Sequence, residues 1–257
     1  MTKEDKKGEF IPEEEPPLED FLFDEEDDEK ERMRKKKRVR RNKVIALIVS
    51  SFLLVNVFAF AFHSFSLDAI DFLKTSYRLS QQEDVQGWKE AVVVIQGDRS
   101  RGTGFSIGDG IIVTNHHVIE NQQMIGVSFP DGSLYEGKVL SSDPAVDLAF
   151  LSIEAENVSS LPLGEKSADG GEEIYVIGNP LRFTEIVNEG YVLEQQVRPN
   201  TVAISAPIYR GNSGSPVINQ NGEVVAVVFA KTVPGIRSQD KPVGLAVPIE
   251  EVKKRLP

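Results

Sequence analysis

The sequence of residues 89–257 predicts an all-β fold, and three observations support this prediction. Short β-type runs follow one another from Trp88 onward, Gly, Asn, Asp and Pro residues separate them, and only Glu250–Leu256 has helical spacing. Many short strands joined by turns are typical of a β-sandwich or a pair of β-barrels. The runs are Ala91–Gln96, Gly104–Ile107, Ile111–Thr114, Ile125–Phe129, Leu134–Leu140, Leu148–Ile153, Ile174–Ile177, Thr201–Ser205, Ser215–Ile218, Val224–Phe229 and Val243–Val247.

Residues 1–43 precede this region and are unevenly charged. Residues 1–31 carry 15 Asp/Glu against 4 Lys, which predicts a disordered acidic tail, whereas residues 32–43 carry 9 Lys/Arg and no acid. The stretch Phe21–Glu26 is either a docking motif for a cytosolic partner or part of a solvated tail, and such charge runs favour the tail. The formal net charge of −11 for the whole chain argues against nucleic-acid binding.

A 19-residue run from Val44 to Phe62 carries no charge. A helix of about 20 apolar residues spans the hydrocarbon core of a membrane, so residues 44–62 are predicted to form a transmembrane helix. The alternative is a buried core helix, but such a helix would have a polar face. Because the basic cluster precedes this run, residues 1–43 are expected in the cytoplasm and 63–257 outside the cell membrane. Ala59–Ala61 resembles a signal-peptidase site, but the long N-terminal region favours an uncleaved signal anchor. Residues 63–88 are expected to form a juxtamembrane helix and linker.

Histidine is scarce in this chain. His63 lies at the predicted membrane border, whereas His116 and His117 directly follow a predicted strand. Adjacent side chains point apart, and no Cys or carboxylate cluster accompanies them, so the pair makes a poor metal site. We therefore expect neither a metal nor a cofactor, and consider the pair as a source of a general base.

A glycine-rich turn at 211–216 presents a serine. The glycines on either side of Asn212-Ser213 leave the Ser213 hydroxyl unshielded, and the amides of such a turn can converge on an oxyanion. Asp147 opens an apolar strand, where a carboxylate needs hydrogen bonds and would suit the orientation of an imidazole. Asp143 is the alternative, but its position before Pro144 is typical of a turn. The order His, Asp, Ser is the chymotrypsin-like one.

Residues 89–257 resemble the trypsin-like protease domain of the HtrA/Deg family. The resemblance implies two antiparallel six-stranded β-barrels, the first at about 89–165 and the second at about 170–257, with a boundary near 164–171. It rests on four motifs in the family's order: Gly102-Thr103-Gly104-Phe105, Thr114-Asn115-His116-His117-Val118, Asp143-Pro144-Ala145-Val146-Asp147-Leu148-Ala149 and Gly211-Asn212-Ser213-Gly214-Ser215-Pro216.

The resemblance also assigns roles to residues. It implies that His117, rather than His116, is the base, that Asp147 orients it and that Ser213 is the nucleophile. The amides of Gly211 and Ser213 would then bind the oxyanion. Ser215 stands where the family usually has a second glycine. The PDZ domain common in the family has no counterpart in these residues, so we expect control through a PDZ domain to be absent.

The segment before the nucleophile lines the primary specificity pocket in chymotrypsin-like proteases. Pro207, six residues before Ser213, stands where an aspartate would attract Lys or Arg. We therefore expect cleavage after small or medium apolar residues, with Ile208 and Ala230 shaping the pocket. The stretch from Gly178 to Gln196 is expected to be a mobile activation region.

Together these features predict a membrane-anchored, extracytoplasmic serine endopeptidase. Its substrates would be unfolded or membrane-proximal proteins, in quality control or regulated proteolysis. Relatives commonly form trimers, so a homo-oligomer is an open alternative to a monomer, although no trimerising residues can be identified. A catalytically silent sensor or scaffold is the alternative function, and an esterase would use the same three side chains.

Overall fold

The computed structural model describes residues 18–194, 198–232 and 242–257, with their side chains except at 18–27, 58–70 and 182. It divides into two compact units, residues 1–67 and 68–257. Helix α1 (Leu18–Leu79) runs through both units, and α2 (Glu83–Glu90) precedes the first strand. Helices α3 (His116–Ile119) and α4 (Ile249–Lys253) and a 3₁₀ turn (Pro180–Arg182) complete the helical content of the described residues.

Thirteen strands within the described residues form two curled antiparallel sheets. The first sheet has the order β5-β4-β1-β2-β3-β7-β6, and the second has the order β10-β13-β12-β11-β8-β9. The strands are β1 (Val92–Gln96), β2 (Arg101–Gly108), β3 (Ile111–Thr114), β4 (Gly126–Ser128), β5 (Leu134–Glu136), β6 (Lys138–Asp143), β7 (Leu148–Ser152), β8 (Glu173–Gly178), β9 (Ile186–Tyr191), β10 (Val202–Ile204), β11 (Pro216–Ile218), β12 (Val224–Lys231) and β13 (Gly244–Pro248).

The first sheet has seven strands instead of the expected six because one predicted run turns a corner. The run Leu134–Leu140 divides at Gly137 into β5 and β6, which are the two edges of the sheet. A Cβ at Gly137 would lie 3.1 Å from Val127 Cγ2, so the close approach favours glycine. Since a single residue joins the two edges, the sheet must curl until they meet.

The second sheet curls in a comparable way. Its edge strands β9 and β10 approach through an isolated antiparallel bridge between Val192 and Ile204. Strand β9 was missing from the predicted strands, because 178–196 was expected to be a mobile region; Gln196 lies outside the described residues. The predicted barrel boundary at 164–171 falls between β7 and β8, where the chain leaves one sheet for the other.

The prediction of disorder for residues 1–31 is wrong from Leu18 onward, where α1 begins; residues 1–17 lie outside the described residues. An acidic stretch followed by a basic one allows ion pairs one helical turn apart, such as Lys35 Nζ to Glu31 Oε1 at 3.1 Å. The prediction of a linker at 63–88 is also incomplete. Leu79 and Val85 are fully buried in the core of the β-rich unit, so that unit begins before residue 89.

No helix among the described residues is long and apolar enough to cross a membrane. The transmembrane helix predicted at 44–62 is therefore not confirmed, and the side chains of residues 58–62 lie outside the described ones.

Candidate active site

His117 lies at the end of β3, on the short helix α3. Its Nδ1 is 2.6 Å from Asp147 Oδ2, and its backbone amide donates to Asp147 Oδ1 at 2.9 Å. One carboxylate therefore holds both the ring and the backbone of the histidine. The imidazole is 44% exposed and the Asp147 side chain 23%, so the histidine is the more accessible of the two.

Asp147 itself is held in an unusual conformation. Its φ of 57° is in the left-handed region, which costs a non-glycine residue about 1 kcal/mol or more. The buried Asn115, just before the histidine pair, donates from Nδ2 to the Asp147 carbonyl at 2.8 Å. Strain maintained by the surrounding structure is common at functional sites.

His116 and Asp143, the alternatives to His117 and Asp147, make other contacts. His116 Nδ1 lies 2.7 Å from Ser142 Oγ. Asp143 accepts hydrogen bonds from Arg255 Nε at 2.6 Å and from the Ala145 amide at 2.9 Å. The Arg255 guanidinium, followed by that amide, lowers the pKa of the Asp143 carboxyl below its ordinary value. Asp143 thus ties a turn to the C-terminal helix, while Asp147 contacts His117. His63 lies outside the residues whose side chains are described.

The turn that carries Ser213 is set by its backbone. The Asn212 amide donates to the Tyr209 carbonyl at 3.0 Å, and the Gly214 amide donates to the Val228 carbonyl at 2.8 Å. Gly214 has a φ of 85°, and a Cβ there would lie 2.0 Å from the Thr103 carbonyl oxygen. Only glycine fits this position. Ser213 between them is half-buried.

The first sheet brings the serine turn to the histidine. The Thr103 amide in β2 donates to the Ser213 carbonyl at 2.8 Å. A Cβ on the neighbouring Gly102 would lie 2.7 Å from Val118 Cγ2 and 3.1 Å from the Ser213 carbonyl oxygen. Val118, which follows His117, and Ser213 therefore both lie against Gly102. Ser213 Oγ makes no hydrogen bond to the imidazole within the described part of the chain.

Two amides of the turn point to a binding site for an anionic oxygen. The amides of Asn212, Gly214 and Ser215 all donate to backbone carbonyls. Those of Gly211 and Ser213 donate to no acceptor among the described residues, and they are the two that the sequence predicts for the oxyanion. Unpaired N–H groups in a turn are free to bind a negative oxygen.

A buried hydroxyl fixes the orientation of Gly211, and sequence reasoning missed this role. Thr103 Oγ1 donates to the Gly211 carbonyl at 2.7 Å and accepts from the Asn179 amide at 3.0 Å. Asn179 Nδ2 also donates to the Val93 carbonyl at 3.0 Å. Thr103 belongs to the first predicted motif, but nothing in the sequence pairs it with Asn179.

The three residues predicted for the specificity pocket occupy different environments. Pro207 is exposed, Ile208 is buried in the core of the second sheet, and Ala230 is half-buried on β12. The Tyr209 ring packs edge-on against Phe72 of α1, with ring centroids 4.7 Å apart. The end of α1 therefore supports the segment that leads to Ser213.

Ser215 is fully buried, and its Oγ has no hydrogen-bond partner in the described residues. A Cβ on Gly178 would lie 2.2 Å from that hydroxyl and 2.6 Å from Asn212 Oδ1. The serine that replaces the usual glycine is therefore accommodated because β8 places a glycine against it.

Residues 102–227, just under half of the chain, match the model of the trypsin-like peptidase domain, so this part of the chain is similar to that family. Its homologues include HtrA/Deg serine proteases. The chain is 33% identical over 165 residues to the putative serine protease HhoB of Synechocystis, which covers 60% of this chain and 38% of that protein. It is 35% identical over 128 residues to the serine endoprotease DegS of Haemophilus influenzae, which covers 46% of this chain and 38% of that protein.

A solved structure shows the same fold. The serine endoprotease from Yersinia pestis superimposes with a TM-score of 0.61 at 29% identity, covering 66% of this chain and 63% of that one. The two curled sheets therefore have the chymotrypsin-like arrangement. The chain spans less than two thirds of the length of each of these relatives.

Proposed function

We propose that this protein is a serine endopeptidase. The observation that carries the proposal is the double hydrogen bond between Asp147 and His117, next to a serine turn with two unpaired amides. Similarity to serine endoproteases supports it. The absence of a hydrogen bond between Ser213 Oγ and the imidazole among the described residues does not oppose it, because catalytic hydrogen bonds often tighten only with substrate bound.

In the proposed reaction, Ser213 Oγ attacks a peptide carbonyl. His117 Nε2 takes the hydroxyl proton and later passes it to the leaving amine, while Asp147 holds the Nδ1 tautomer and stabilises the imidazolium. The amides of Gly211 and Ser213 bind the oxyanion, and one such donor is worth on the order of 10²–10³ in rate. Water then releases the acyl group from the serine.

The proposed specificity is for small or medium apolar residues before the cleaved bond. Pro207 carries no charge that would attract Lys or Arg, and Ile208 and Ala230, the other two residues predicted for the pocket, are apolar. A profile of cleavage sites dominated by Lys or Arg at that position would refute this.

We further propose that the chain is anchored in the cell membrane with its protease unit outside the cytoplasm. Ten large apolar side chains between Val44 and Val57 are exposed, and an exposed apolar surface of this size needs a covering. The basic residues 32–43 before it orient the anchor. Unfolded or membrane-proximal proteins are the proposed substrates, which suits protein quality control or regulated proteolysis. A homo-oligomer is part of this proposal.

The activity is tested by incubating the full chain, in detergent micelles, with one substrate protein in its denatured and in its native form and comparing the cleavage of the two. We expect fragments from the denatured substrate only, and on the order of 10⁴-fold or greater loss with Ser213→Ala. Equal cleavage by Ser213→Ala would reject Ser213 as the nucleophile. Labelling of Ser213 by a fluorophosphonate separates an enzyme from the alternative, a silent scaffold.

A further inference from the structure

A cleft of about 650 Å³ opens beside the serine turn, on the side of Gly211. Gln96 at the end of β1 and residues 98–101 after it form one wall, and Asn179 with Leu181 forms another. Arg210 and Gly211 close it toward the catalytic centre. The cleft shares no lining residue with the predicted specificity pocket, which is Pro207, Ile208 and Ala230.

The cleft is positively charged although the chain is acidic. Arg99, Arg101 and Arg210 line it against a single carboxylate, Asp98, so its formal surplus is two positive charges. None of the three arginines forms an ion pair within the described residues. The Nε of Arg101 is buried without any hydrogen-bond partner there. Guanidinium groups form strong charge-assisted hydrogen bonds with carboxylates, so the positive charge of the cleft favours an anionic ligand.

The wall of this cleft is fixed to the catalytic residues. The Gly97 amide donates to the Ser100 carbonyl at 3.0 Å, and Ser100 Oγ donates to the Val118 carbonyl, directly after His117. Arg101 begins β2, two residues before Thr103, whose amide holds Ser213. The Asp98 carboxylate accepts a hydrogen bond from the Gln123 amide at 3.1 Å. One of its oxygens is therefore already occupied by a backbone N–H group.

The opposite wall is also held in place. The Leu181 amide donates to the Arg210 carbonyl at 2.9 Å, and Leu181 keeps a left-handed φ of 52° with its side chain 54% exposed. The cleft therefore offers an apolar side chain and three guanidinium groups beside the Gly211 amide. This combination suits a peptide segment with an acidic side chain.

We propose that this cleft binds an acidic residue of the substrate, within the first three positions on the leaving-group side of the cleaved bond. This inference rests on the proposed peptidase function. The predicted pocket for the residue before the bond is Pro207, Ile208 and Ala230, and the cleft lies on the Gly211 side of the serine turn, so we place the leaving group in the cleft. The protein would then select sites by an apolar residue before the bond and an acid after it.

The first test maps cleavage sites. A proteome-derived peptide library is digested with the full chain in micelles, and mass spectrometry identifies the new N-termini. We expect Asp and Glu to be enriched about five- to tenfold in the first three positions, since two or three exposed charge pairs contribute this much. Arg101→Gln and Arg210→Gln should each reduce the enrichment, whereas Lys138→Gln, which removes a charge from the edge strand β6, should leave it unchanged.

The second test measures binding, so that it does not depend on a formed catalytic centre. Fluorescent peptides that differ only by Glu or Gln after the cleavage site are titrated against the Ser213→Ala protein. The Glu peptide should bind about five- to tenfold more tightly at 50 mM salt, and the difference should shrink at 500 mM because exposed charges are screened. Arg101→Gln should abolish most of it.

The outcomes separate the two proposals. Cleavage that depends on Ser213 but shows no preference for acids, with equal binding of both peptides, would overturn the cleft assignment and leave the peptidase intact. Absence of any Ser213-dependent cleavage, with no binding of either peptide, would overturn the peptidase and this inference with it. Preferred binding of the Glu peptide that persists in Arg101→Gln would reject the guanidinium groups as its cause.

Discussion

The buried hydroxyl of Thr103 offers the most direct test of how the site is built. Thr103→Val replaces the hydroxyl by a methyl group of nearly the same volume, while the backbone amide that holds Ser213 remains. The Gly211 carbonyl and the Asn179 amide each lose a partner. A buried group without its hydrogen bond costs about 1–3 kcal/mol, so the loss of two partners should lower the free energy of unfolding by roughly 2–6 kcal/mol.

The effect on catalysis should exceed the effect of lost stability. Without Thr103 Oγ1, the peptide unit between Gly211 and Asn212 keeps only the hydrogen bond from its Asn212 amide. The backbone angles of Gly211 are then less restrained, so the Gly211 amide, which belongs to the preceding peptide unit, shifts relative to the oxyanion position. Losing one oxyanion donor lowers kcat on the order of 10²–10³-fold. Thr103→Ser is the matched control, because it keeps the hydroxyl and removes only a methyl group, at a cost of about 1 kcal/mol.

The assay combines denaturant unfolding with hydrolysis of a quenched peptide under conditions in which both variants are more than 95% folded. We expect Thr103→Ser to keep kcat within about threefold of the unmodified protein and Thr103→Val to lose at least about 10²-fold. Equal kcat in the two folded variants would show that Gly211 is positioned without this hydroxyl and would refute the reasoning.

Three further changes test other parts of the site and the fold. Asp147→Asn should lower kcat on the order of 10⁴-fold with little loss of stability, and a loss of less than tenfold would contradict its orienting role. Gly214→Ala places a Cβ against the Thr103 carbonyl at positive φ and should lower the unfolding free energy by about 3 kcal/mol or more, as denaturant titration would show. Burial of Glu250 opposes its ionisation, but the hydrogen bonds from the Ser167 side chain and amide outweigh it and lower the pKa of the carboxyl. The ionised Glu250 therefore stabilises the fold above the ordinary carboxyl pKa of about 4.3, and this stabilisation is lost as pH falls through the lower folded-state pKa. The free energy of unfolding of Glu250→Gln should therefore fall less between about pH 6 and pH 2 than that of the unmodified protein.

The sequence pattern predicted the class of the fold because strands and turns leave local signals. Alternation and glycine-rich turns located most strands, and the boundary predicted at 164–171 falls between the two sheets. Strand β9 was missed because its run, Ile186–Tyr191, contains Asn188, Glu189 and Gly190, which weaken a β-type pattern. The corner at Gly137 was missed because it depends on a close approach to Val127, which no local pattern contains.

In the candidate site, too, local motifs could be predicted from the sequence and tertiary contacts could not. The motifs led to His117 and Asp147, and the structure joins these two side chains by hydrogen bonds; their catalytic roles stay predictions. The contacts of Thr103 with Asn179 and of Arg101 with the cleft follow from the packing of distant segments. Such contacts are tertiary, so single-residue propensities carry no trace of them.

The bonds from Thr103 have a consequence for the timing of activity. They join residues 76 and 108 positions apart, and the Gly214 amide waits for Val228 on a later strand. A ribosome adds about 5–20 residues per second, so the bond from the Gly214 amide forms only after Val228 has been made, later than the bonds to Thr103. The strands of the first sheet, between residues 92 and 152, are therefore made before the serine turn can take its final shape, so the proposed peptidase would become active only after both sheets have formed.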